Sequence, residues 1–330
     1  MPREVLVYTE VQDGRPTGMA LELLGAGGGL ARTLGAPLAA AVLGHRVADA
    51  AAELGAYGAD RVYVADHPDL EAYRSDPHLS LLEQLCRQEA PSIILFGHDS
   101  AGRDLAPRLA ARLGTGLAPD CVDLALDDNS RRLLAVRPIY GGNLRAMLAI
   151  DTDPQIATVR PKTMEQATRQ EGRRAEIIPL TLDPKSLTLR VKLLERVVEE
   201  AAGIRLEDAE VIVTGGRGID DQEGVKILEG LARVLGAAVG ATRGSVDAGL
   251  FPGELQVGLT GKMVAPRLYF AVALSGSMQH MAGCGGSKNI VAINTDPNAP
   301  IFQRAGYGLV GDFREVVPKL TERLRELLGS

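Results

Sequence analysis

Aromatic residues are scarce in this sequence, and positive charge is not in excess. Among 330 residues there are no tryptophans, five phenylalanines and seven tyrosines, and Asp and Glu outnumber Lys and Arg by 42 to 36. Proteins that bind nucleic acid need a clustered basic surface that displaces counterions and, for single strands, aromatic rings on which bases stack. The densest basic run, residues 169–174, is interrupted by Glu171, which is typical of a solvated loop. We expect no nucleic-acid partner.

Cysteine is also rare, and its spacing suits neither a disulfide framework nor a metal centre. Cys86, Cys121 and Cys284 lie far apart, and none belongs to a CxxC or Cys/His motif. Isolated cysteines of this kind are typical of free, buried thiols in a reducing compartment. We therefore expect no metal site.

No leader segment or membrane span is evident in the sequence. MPREVLVYTE runs directly into a strand-like pattern, and no stretch approaches 18 uninterrupted apolar residues. These features favour a soluble, cytoplasmic protein.

Short apolar runs alternate with longer helical patterns through the first 113 residues. The runs VLVYTE, PLAAAVLG, RVYVAD and SIILFG are each followed by a helical pattern, at residues 19–34, 47–54, 79–88 and 101–113. This order, and the continuous apolar character of SIILFG, predict a mostly parallel sheet with helices on both faces. Residues 119–194 contain further strand-like runs, which we expect to extend or flank this sheet.

A second βα series begins at VIVTGGRG. It continues with a helical pattern at residues 222–235, the runs AAVGAT, RLYFAVAL, NIVAIN and GLVG, and a closing helix at residues 315–328. The length of the chain and the two series predict a two-domain α/β protein. We expect a nucleotide-hydrolase-like, mostly parallel sheet in residues 1–200 and a Rossmann-like domain in residues 201–330.

Glycine-rich loops follow the predicted strands of the second domain. They are GGRG at residues 215–218, the stretch from residue 242, SGSMQH at residues 275–280 and NTDP at residues 294–297. Ligands bind beyond the carboxyl ends of the strands in open α/β sheets, so these loops are expected to line one crevice. Their backbone N–H groups, arginines and small hydroxyls suit an anion such as a pyrophosphate. Tight turns and caps explain GGRG alone equally well.

Two other features suggest a ligand or a reaction at first sight. The glycines of LLGAGGGLA, residues 25–29, lie inside a helical pattern without a GxGxxG phase, which favours close helix packing over nucleotide binding. His280 is the only histidine among the loops, and we expect it to contact a ligand. Without a partner carboxylate it builds no hydrolase triad, and HExxH, GxSxG and P-loop motifs are absent from the sequence.

The order and spacing of several motifs between residues 208 and 325 are specific to one family. VIVTGGRG, GATRGSVDAG, QVGLTGK, APRLYFAVALSGSMQHMAG and SKNIVAINTDPNAPIFQRAGYGLVGD resemble the alpha subunit of electron-transfer flavoprotein. In the first domain, VRPIYGGN and ATVRPK resemble bacterial members. The resemblance implies that the first domain pairs with a beta subunit in a heterodimer and that the second domain binds FAD.

The resemblance also implies an electron carrier rather than a stand-alone enzyme. The family shuttles electrons between dehydrogenases, such as the acyl-CoA dehydrogenases of fatty acid β-oxidation, and a membrane quinone reductase or another acceptor. A bifurcating form, in which NADH electrons enter on a second flavin in the beta subunit, is implied as well. The residues that decide between the two forms lie on the beta subunit.

Matching the family motifs to this sequence implies a set of FAD contacts. The adenosine half is expected at Asn294, Asp312 and Phe313. The full set is Gly216, Arg217, Thr242, Arg243, Gln256, Val257, Gly258, Leu259, Thr260, Gly261, Ser275, Gly276, Ser277, Met278, Gln279, His280, Asn294, Asp312 and Phe313.

Three of these residues are expected to tune the redox potential of the flavin. A unit charge about 4 Å from the ring contributes about 4 kcal/mol at an effective dielectric near 20, and Arg243 is the candidate cation. The alternative for Arg243 is a surface salt bridge. Thr260, beside flavin N5, and His280, near the pyrimidine edge, are expected to donate hydrogen bonds. We expect Asp247 to close its loop by accepting backbone N–H bonds, in preference to a redox role.

One position departs from the family pattern. In addition, the residues by themselves leave two other functions open. Leu259 stands where the family usually has Gln, so an amide hydrogen bond is lost there. An NAD-dependent oxidoreductase suits the α/β pattern but lacks GxGxxG with its acidic residue about 20 positions on. A non-catalytic nucleotide-binding regulator would be colourless and bind AMP or ADP.

Overall fold

The computed structural model describes residues 3–142, 144–181, 191, 193–195 and 204–329. The described residues before 196 form one compact unit, except Tyr140–Gly142, which group with the second unit. Residues 204–329 make up the rest of the second unit. The domain boundary expected near residue 200 lies outside the described residues and stays a prediction.

The first unit is built on a parallel sheet, and helices lie in the connections between its strands. In chain order, its elements are β1 (Val5–Thr9), β2 (Val11–Gln12), β3 (Arg15–Pro16), α1 (Gly18–Leu34), β4 (Leu38–Gly44), α2 (Ala48–Ala56), β5 (Arg61–Asp66), α3 (Ser75–Glu89), β6 (Ile93–Gly97), α4 (Ser100–Leu113), β7 (Leu117–Cys121), β8 (Asp123–Leu126), β9 (Leu133–Ile139), β10 (Leu144–Ala149), β11 (Gln155–Val159) and β12 (Glu176–Pro179). Seven strands form the sheet in the order β12-β5-β4-β1-β6-β11-β7, and all of their pairings are parallel.

The strands after residue 119 divide between two sheets. β11 and β12 join the parallel sheet, and β7 forms one of its edges. β8, β9 and β10 form a separate antiparallel sheet. The expectation that this region extends or flanks the first sheet is confirmed.

The glycines of LLGAGGGLA lie within α1, where two of them allow close packing. A Cβ on Gly25 would collide with the backbone of Glu165, and a Cβ on Gly27 would lie 2.9 Å from Val7 and 3.0 Å from Leu38. The helix therefore approaches the sheet and the segment at residue 165 more closely than a larger residue permits. The prediction of helix packing rather than a nucleotide loop is confirmed.

The second unit is a five-stranded parallel sheet in the order β14-β13-β15-β16-β17. In chain order, its elements are β13 (Val211–Gly215), α5 (Gln222–Leu235), β14 (Ala238–Ala241), α6 (Arg243–Asp247), β15 (Leu268–Val272), α7 (Met278–Cys284), β16 (Ile290–Asn294), β17 (Tyr307–Val310) and α8 (Phe313–Leu328). Helix α5 begins where Asp221 accepts a hydrogen bond from Gly224 N and ends at Gly236, whose φ is 58°. These are the acceptor and the left-handed glycine expected at helix ends.

The direction of the crossovers places a crevice in this second sheet. From β13 the chain passes to β14 on one side and then to β15 on the other. In open α/β sheets, ligands bind at such a point, outside the carboxyl ends of the strands. The loops that follow β13, β14, β15 and β16 all begin at that edge.

The three cysteines are buried and free, as predicted. Burial raises the pKa of each thiol to about 12. None of the helices in the described part of the chain is long and apolar enough to cross a membrane.

Candidate functional site

A cleft of about 470 Å³ lies at the carboxyl ends of the strands of the second sheet. The loops after β13, β14, β15 and β16 line it together with residues 256–260. Among the predicted site residues, all except Gly216, Gly261, Met278, Asp312 and Phe313 line this cleft. The lining residues are Arg217, Gly218, Thr242, Arg243, Gly244, Gln256, Val257, Gly258, Leu259, Thr260, Ala273, Leu274, Ser275, Gly276, Ser277, Gln279, His280, Asn294, Asp296 and Ala299.

Asp312 and Phe313 lie at a smaller cavity of about 210 Å³. This cavity shares Gly218, Ala273 and Asn294 with the cleft. Asp312 accepts a hydrogen bond from Arg314 N at 2.9 Å and so caps α8. The Phe313 side chain is buried in the core. Phe313 therefore offers mainly its backbone here, and a contact through its ring is not supported.

The close approach of two backbones explains why residues 215–218 are rich in glycine. A Cβ on Gly216 would collide with Ala273 and Leu274, at the end of β15. Ala273 itself has a φ of 52°, which is uncommon for a residue with a side chain. Both Ala273 and Leu274 line the cleft.

Six lining residues were missed by sequence reasoning. Most of them are neighbours of predicted residues, so the correct loops were predicted but too few residues of each loop were included. They are Gly218, Gly244, Ala273, Leu274, Asp296 and Ala299. Gly218 and Asp296 lie in the GGRG and NTDP loops, and their place in those loops was the sequence signal that could have identified them. No feature of the sequence marks the left-handed backbone of Ala273.

The loop that carries Thr260 is folded back on itself and held against α7. Lys262 N donates to Gln256 O at 2.7 Å, and Leu259 N donates to Gln279 O at 2.8 Å. Gln256 Nε2 donates to Thr260 Oγ1 at 2.9 Å, so the hydroxyl hydrogen of Thr260 remains for another acceptor. The geometry leaves Thr260 able to donate to a ligand.

Leu259 lies at the rim of the cleft, where its side chain is 65 % exposed. Its backbone is fixed by α7, as described above. The side chain offers no hydrogen bond, so the loss of the amide at this position leaves the loop itself intact.

His280 is buried at the cleft, and both of its ring nitrogens have partners within the protein. Nδ1 lies 3.0 Å from Val257 O, and Nε2 lies 2.9 Å from the hydroxyl of Tyr269. Burial lowers the pKa of His280 to about 4, so the ring is neutral at pH 7. This differs from the expected donor role, because the carbonyl of Val257 takes the only N–H of a neutral imidazole.

Two arginines bring positive charge to the cleft. Arg243 Nε lies 3.5 Å from Asp247 Oδ2, and both side chains are about two-thirds exposed, at 69 % and 65 %. Arg243 thus lines the cleft and also forms the surface salt bridge considered as its alternative. The expectation for Asp247 is wrong: among the described residues it pairs with Arg243 instead of accepting backbone N–H bonds. Arg217 has no ion-pair or hydrogen-bond partner within the described part of the chain.

The sequence matches two families along most of its length. Residues 5–185 match the electron transfer flavoprotein domain, and residues 205–285 match the electron transfer flavoprotein FAD-binding domain. The chain belongs to the electron-transfer flavoprotein alpha-subunit family.

Curated relatives agree with this membership. The chain is 42 % identical to "Electron transfer flavoprotein subunit alpha" of Thermoanaerobacterium thermosaccharolyticum, over 98 % of each protein. It is also 42 % identical to the protein of that name in Bacillus subtilis, over 99 % of each. It is 37 % identical to "Lactate dehydrogenase (NAD(+),ferredoxin) subunit LctC" of Acetobacterium woodii, over 96 % of this chain and 76 % of that protein.

The cleft of this alpha-subunit family member suits the FAD that its C-terminal domain binds. The unpaired guanidinium of Arg217 and the nearby Arg243 complement a pyrophosphate, and Thr260 keeps a hydroxyl hydrogen for an acceptor. The exposed side chain of Leu259 and the buried imidazole of His280 add apolar surface for a ring system. The described residues contain no cluster of three or more metal-ligating side chains in this region or elsewhere.

Proposed function

We propose that this chain is the FAD-carrying alpha subunit of a heterodimeric electron carrier. The observation that supports this most directly is the cleft, in which loops from four strands bring two arginines and a donor hydroxyl to the edge where ligands bind. The family's FAD-binding domain covers residues 205–285, which include most of those loops. We propose that the nineteen residues predicted from the sequence contact FAD, with Phe313 doing so through its backbone.

The proposed roles of the residues follow from their partners. Bound FAD supplies the ring that takes up and releases electrons. Arg217 would bind the pyrophosphate, since it lines the cleft and forms no ion pair within the described residues. Arg243 would stabilise negative charge on the ring, at a strength reduced by Asp247. Thr260 would donate its hydroxyl hydrogen to the ring, and His280 would support the loop instead of donating.

The proposed partners are a beta subunit, a dehydrogenase and an electron acceptor. We propose that the domain at residues 1–200 pairs with the beta subunit and that the domain at residues 201–330 carries FAD. The dehydrogenase is proposed to be a flavoenzyme such as an acyl-CoA dehydrogenase, and the acceptor a quinone reductase. The three free, buried thiols suit the reducing cytoplasm proposed as the location.

A second candidate is the bifurcating form of the same carrier. The relative from Acetobacterium woodii is named as a subunit of an NAD(+)- and ferredoxin-dependent lactate dehydrogenase. By that likeness, NADH would deliver electrons to a second flavin on the beta subunit. The alpha chain would then pass electrons onward from its own FAD in both forms.

The test is an absorption spectrum of the chain purified together with its beta subunit, before and after NADH is added. One FAD per heterodimer that NADH does not bleach supports the conventional carrier, and two flavins that NADH bleaches support the bifurcating form. A colourless heterodimer that binds no added FAD overturns the proposal.

A matched pair of variants locates the FAD within the chain. Arg217→Ala removes a cation of the cleft, whereas Arg233→Ala removes one from the last turn of α5, outside the cleft. We expect Arg217→Ala to weaken FAD binding by about tenfold to a hundredfold, as for a charged hydrogen bond, and Arg233→Ala to leave it unchanged. Equal FAD affinity in both variants contradicts the assignment of Arg217.

A further inference from the structure

A buried tyrosine on the central part of the second sheet is hydrogen-bonded to the histidine of the cleft. Tyr269, on β15, is fully buried, and His280, on α7, is 5 % exposed. Tyr269 belongs to one hydrophobic core with Val257, and the centroid of its ring lies 6.1 Å from that of His280. Tyr269 does not line the cleft, and no feature of its sequence neighbourhood marks it as more than a core residue.

The positions of the protons in these two hydrogen bonds follow from whether each partner can donate or only accept. Val257 O can only accept, so Nδ1 of His280 must carry a proton and donate it across 3.0 Å. The neutral ring then presents a lone pair at Nε2, and the Tyr269 hydroxyl donates to it across 2.9 Å. Val257 O thus fixes the tautomer of His280, and the bond from Tyr269 fixes the orientation of the ring at its other nitrogen.

The same contacts fix the start of the loop that carries Thr260. Val257 N donates to Ala241 O at 2.9 Å, and Val257 O accepts from His280. The peptide groups on both sides of Val257 are therefore anchored, one on β14 and one on α7. Together with the bond from Leu259 N to Gln279 O, these two anchors set the orientation of Gly258–Thr260.

We propose that Tyr269 is a positioning residue of the FAD site, which fixes the orientation of the His280 ring and so supports the bond from His280 to Val257 O that holds the loop of Thr260. The inference rests on the proposed role of this cleft as the FAD site. Tyr269 does not line the cleft, so its effect would be transmitted through His280. Among the described residues, the other titratable group beside this pair is Cys284, whose Sγ donates to His280 O at 3.6 Å.

The test replaces Tyr269 with phenylalanine, which keeps the ring and removes only the donor. In FAD-free protein, ¹⁵N chemical shifts of His280 should show Nδ1 protonated in both proteins, and the Nε2 resonance should move in Tyr269→Phe because its hydrogen bond is lost. FAD should bind the variant about tenfold more weakly, because the Nε2 lone pair is left unsatisfied and the His280 ring that holds Val257 O loses one of its two contacts.

Tyr63→Phe is the matched control. Tyr63 is also a buried strand tyrosine, its hydroxyl bonds to Glu4 at 3.2 Å in the first unit, and it does not line the cleft. Tyr63→Phe should lower stability while leaving the His280 shifts and FAD affinity unchanged. Equal loss of FAD affinity in both variants, or unchanged His280 shifts in Tyr269→Phe, overturns the inference.

The measurements separate the inference from the proposed function. A wild-type protein that binds no FAD refutes the proposed function, whereas the tautomer is still read in the FAD-free protein. If Tyr269→Phe does not fold, the wild-type shifts alone decide: a proton on Nε2 of His280 overturns the inference.

Discussion

Gly258 and Gly283 are in direct backbone contact. A Cβ on Gly283 would lie 2.5 Å from Cα of Gly258, closer than real Cβ atoms approach. Gly283 belongs to α7, and Gly258 begins the turn that leads to Thr260. The helix that carries His280 and the loop that carries Thr260 thus form one packed unit, since neither can move without displacing the other.

We expect Gly283→Ala to weaken FAD binding by pushing this loop away from α7. The neighbouring atoms are backbone, so the strain should lower the free energy of unfolding by about 1–3 kcal/mol. Gly230→Ala is the control, since Gly230 lies inside α5 with open space where a Cβ would be, and alanine should stabilise that helix by about 0.5–1 kcal/mol. Calorimetry of FAD binding and thermal unfolding measure both effects. Unchanged FAD affinity in Gly283→Ala contradicts this coupling.

The ion pair between Arg243 and Asp247 leads to a prediction about the flavin potential. Asp247→Asn removes the carboxylate that partly offsets Arg243, so the cation should stabilise negative charge on bound FAD more strongly. We expect a rise on the order of tens of millivolts, where about 59 mV is a tenfold change for one electron. Since both side chains are exposed, high salt should reduce the rise.

The control for this effect is a similar exposed pair outside the cleft. Glu326→Gln removes the partner of Arg323 on α8, with the same change in net charge. Its potential should equal that of the wild type. Potentiometric titration in low and high salt gives the comparison, and equal shifts in both variants would point to net charge instead of Arg243.

Glu4 is buried in the first unit, and this predicts a pH-dependent stability. Burial raises its pKa from about 4.5 to about 7, although Tyr63 and Arg61 act in the opposite direction. The folded chain therefore binds more protons than the unfolded chain between these values, and the free energy of unfolding should fall as pH rises through this window. The contribution is fully present below pH 4.5, and its loss is on the order of 2 kcal/mol.

Glu4→Gln should remove this dependence, so the variant should gain stability relative to the wild type between pH 5 and pH 8. Glu176→Gln is the control, because Glu176 is exposed and pairs with the same Arg61 at 3.4 Å. Urea unfolding followed by circular dichroism at the two pH values measures the difference. A gain in Glu4→Gln that is equal at pH 5 and pH 8 contradicts the assignment.

Much of the cleft was predictable because sheet geometry and motif order act together. Once the runs after residue 211 are recognised as parallel strands, their following loops must meet at one edge, which brings Arg217, Thr242 and Ser275 together. Likewise, the glycines inside a helical pattern predicted that α1 packs closely against its neighbours. In the structure, Gly25 and Gly27 of α1 lie against other segments of the chain.

Side-chain partners that come from elsewhere in the fold were not predictable from the motifs. The donor role expected for His280 failed because Tyr269, eleven residues away on a strand, and Val257 take both ring nitrogens. Phe313 matched a contact position, but its ring fills the core. Asp247 lies one helical turn from Arg243, and this i, i+4 spacing is visible only once residues 243–247 are known to be helical.

Leu259 offers the most direct test of how this chain differs from its family. Its side chain is exposed at the cleft and its backbone is held by Gln279 O, so Leu259→Gln should fold with unchanged thermal stability. The new amide can bond to FAD, and we expect FAD to bind about threefold to tenfold more tightly, as for one net hydrogen bond. Leu327→Gln, an exposed leucine on α8, controls for the change in surface polarity and should bind FAD as the wild type does. Equal FAD affinity in the wild type, Leu259→Gln and Leu327→Gln would contradict this prediction. It would show that backbone contacts of the loop determine FAD binding at this position and that the glutamine side chain adds no affinity.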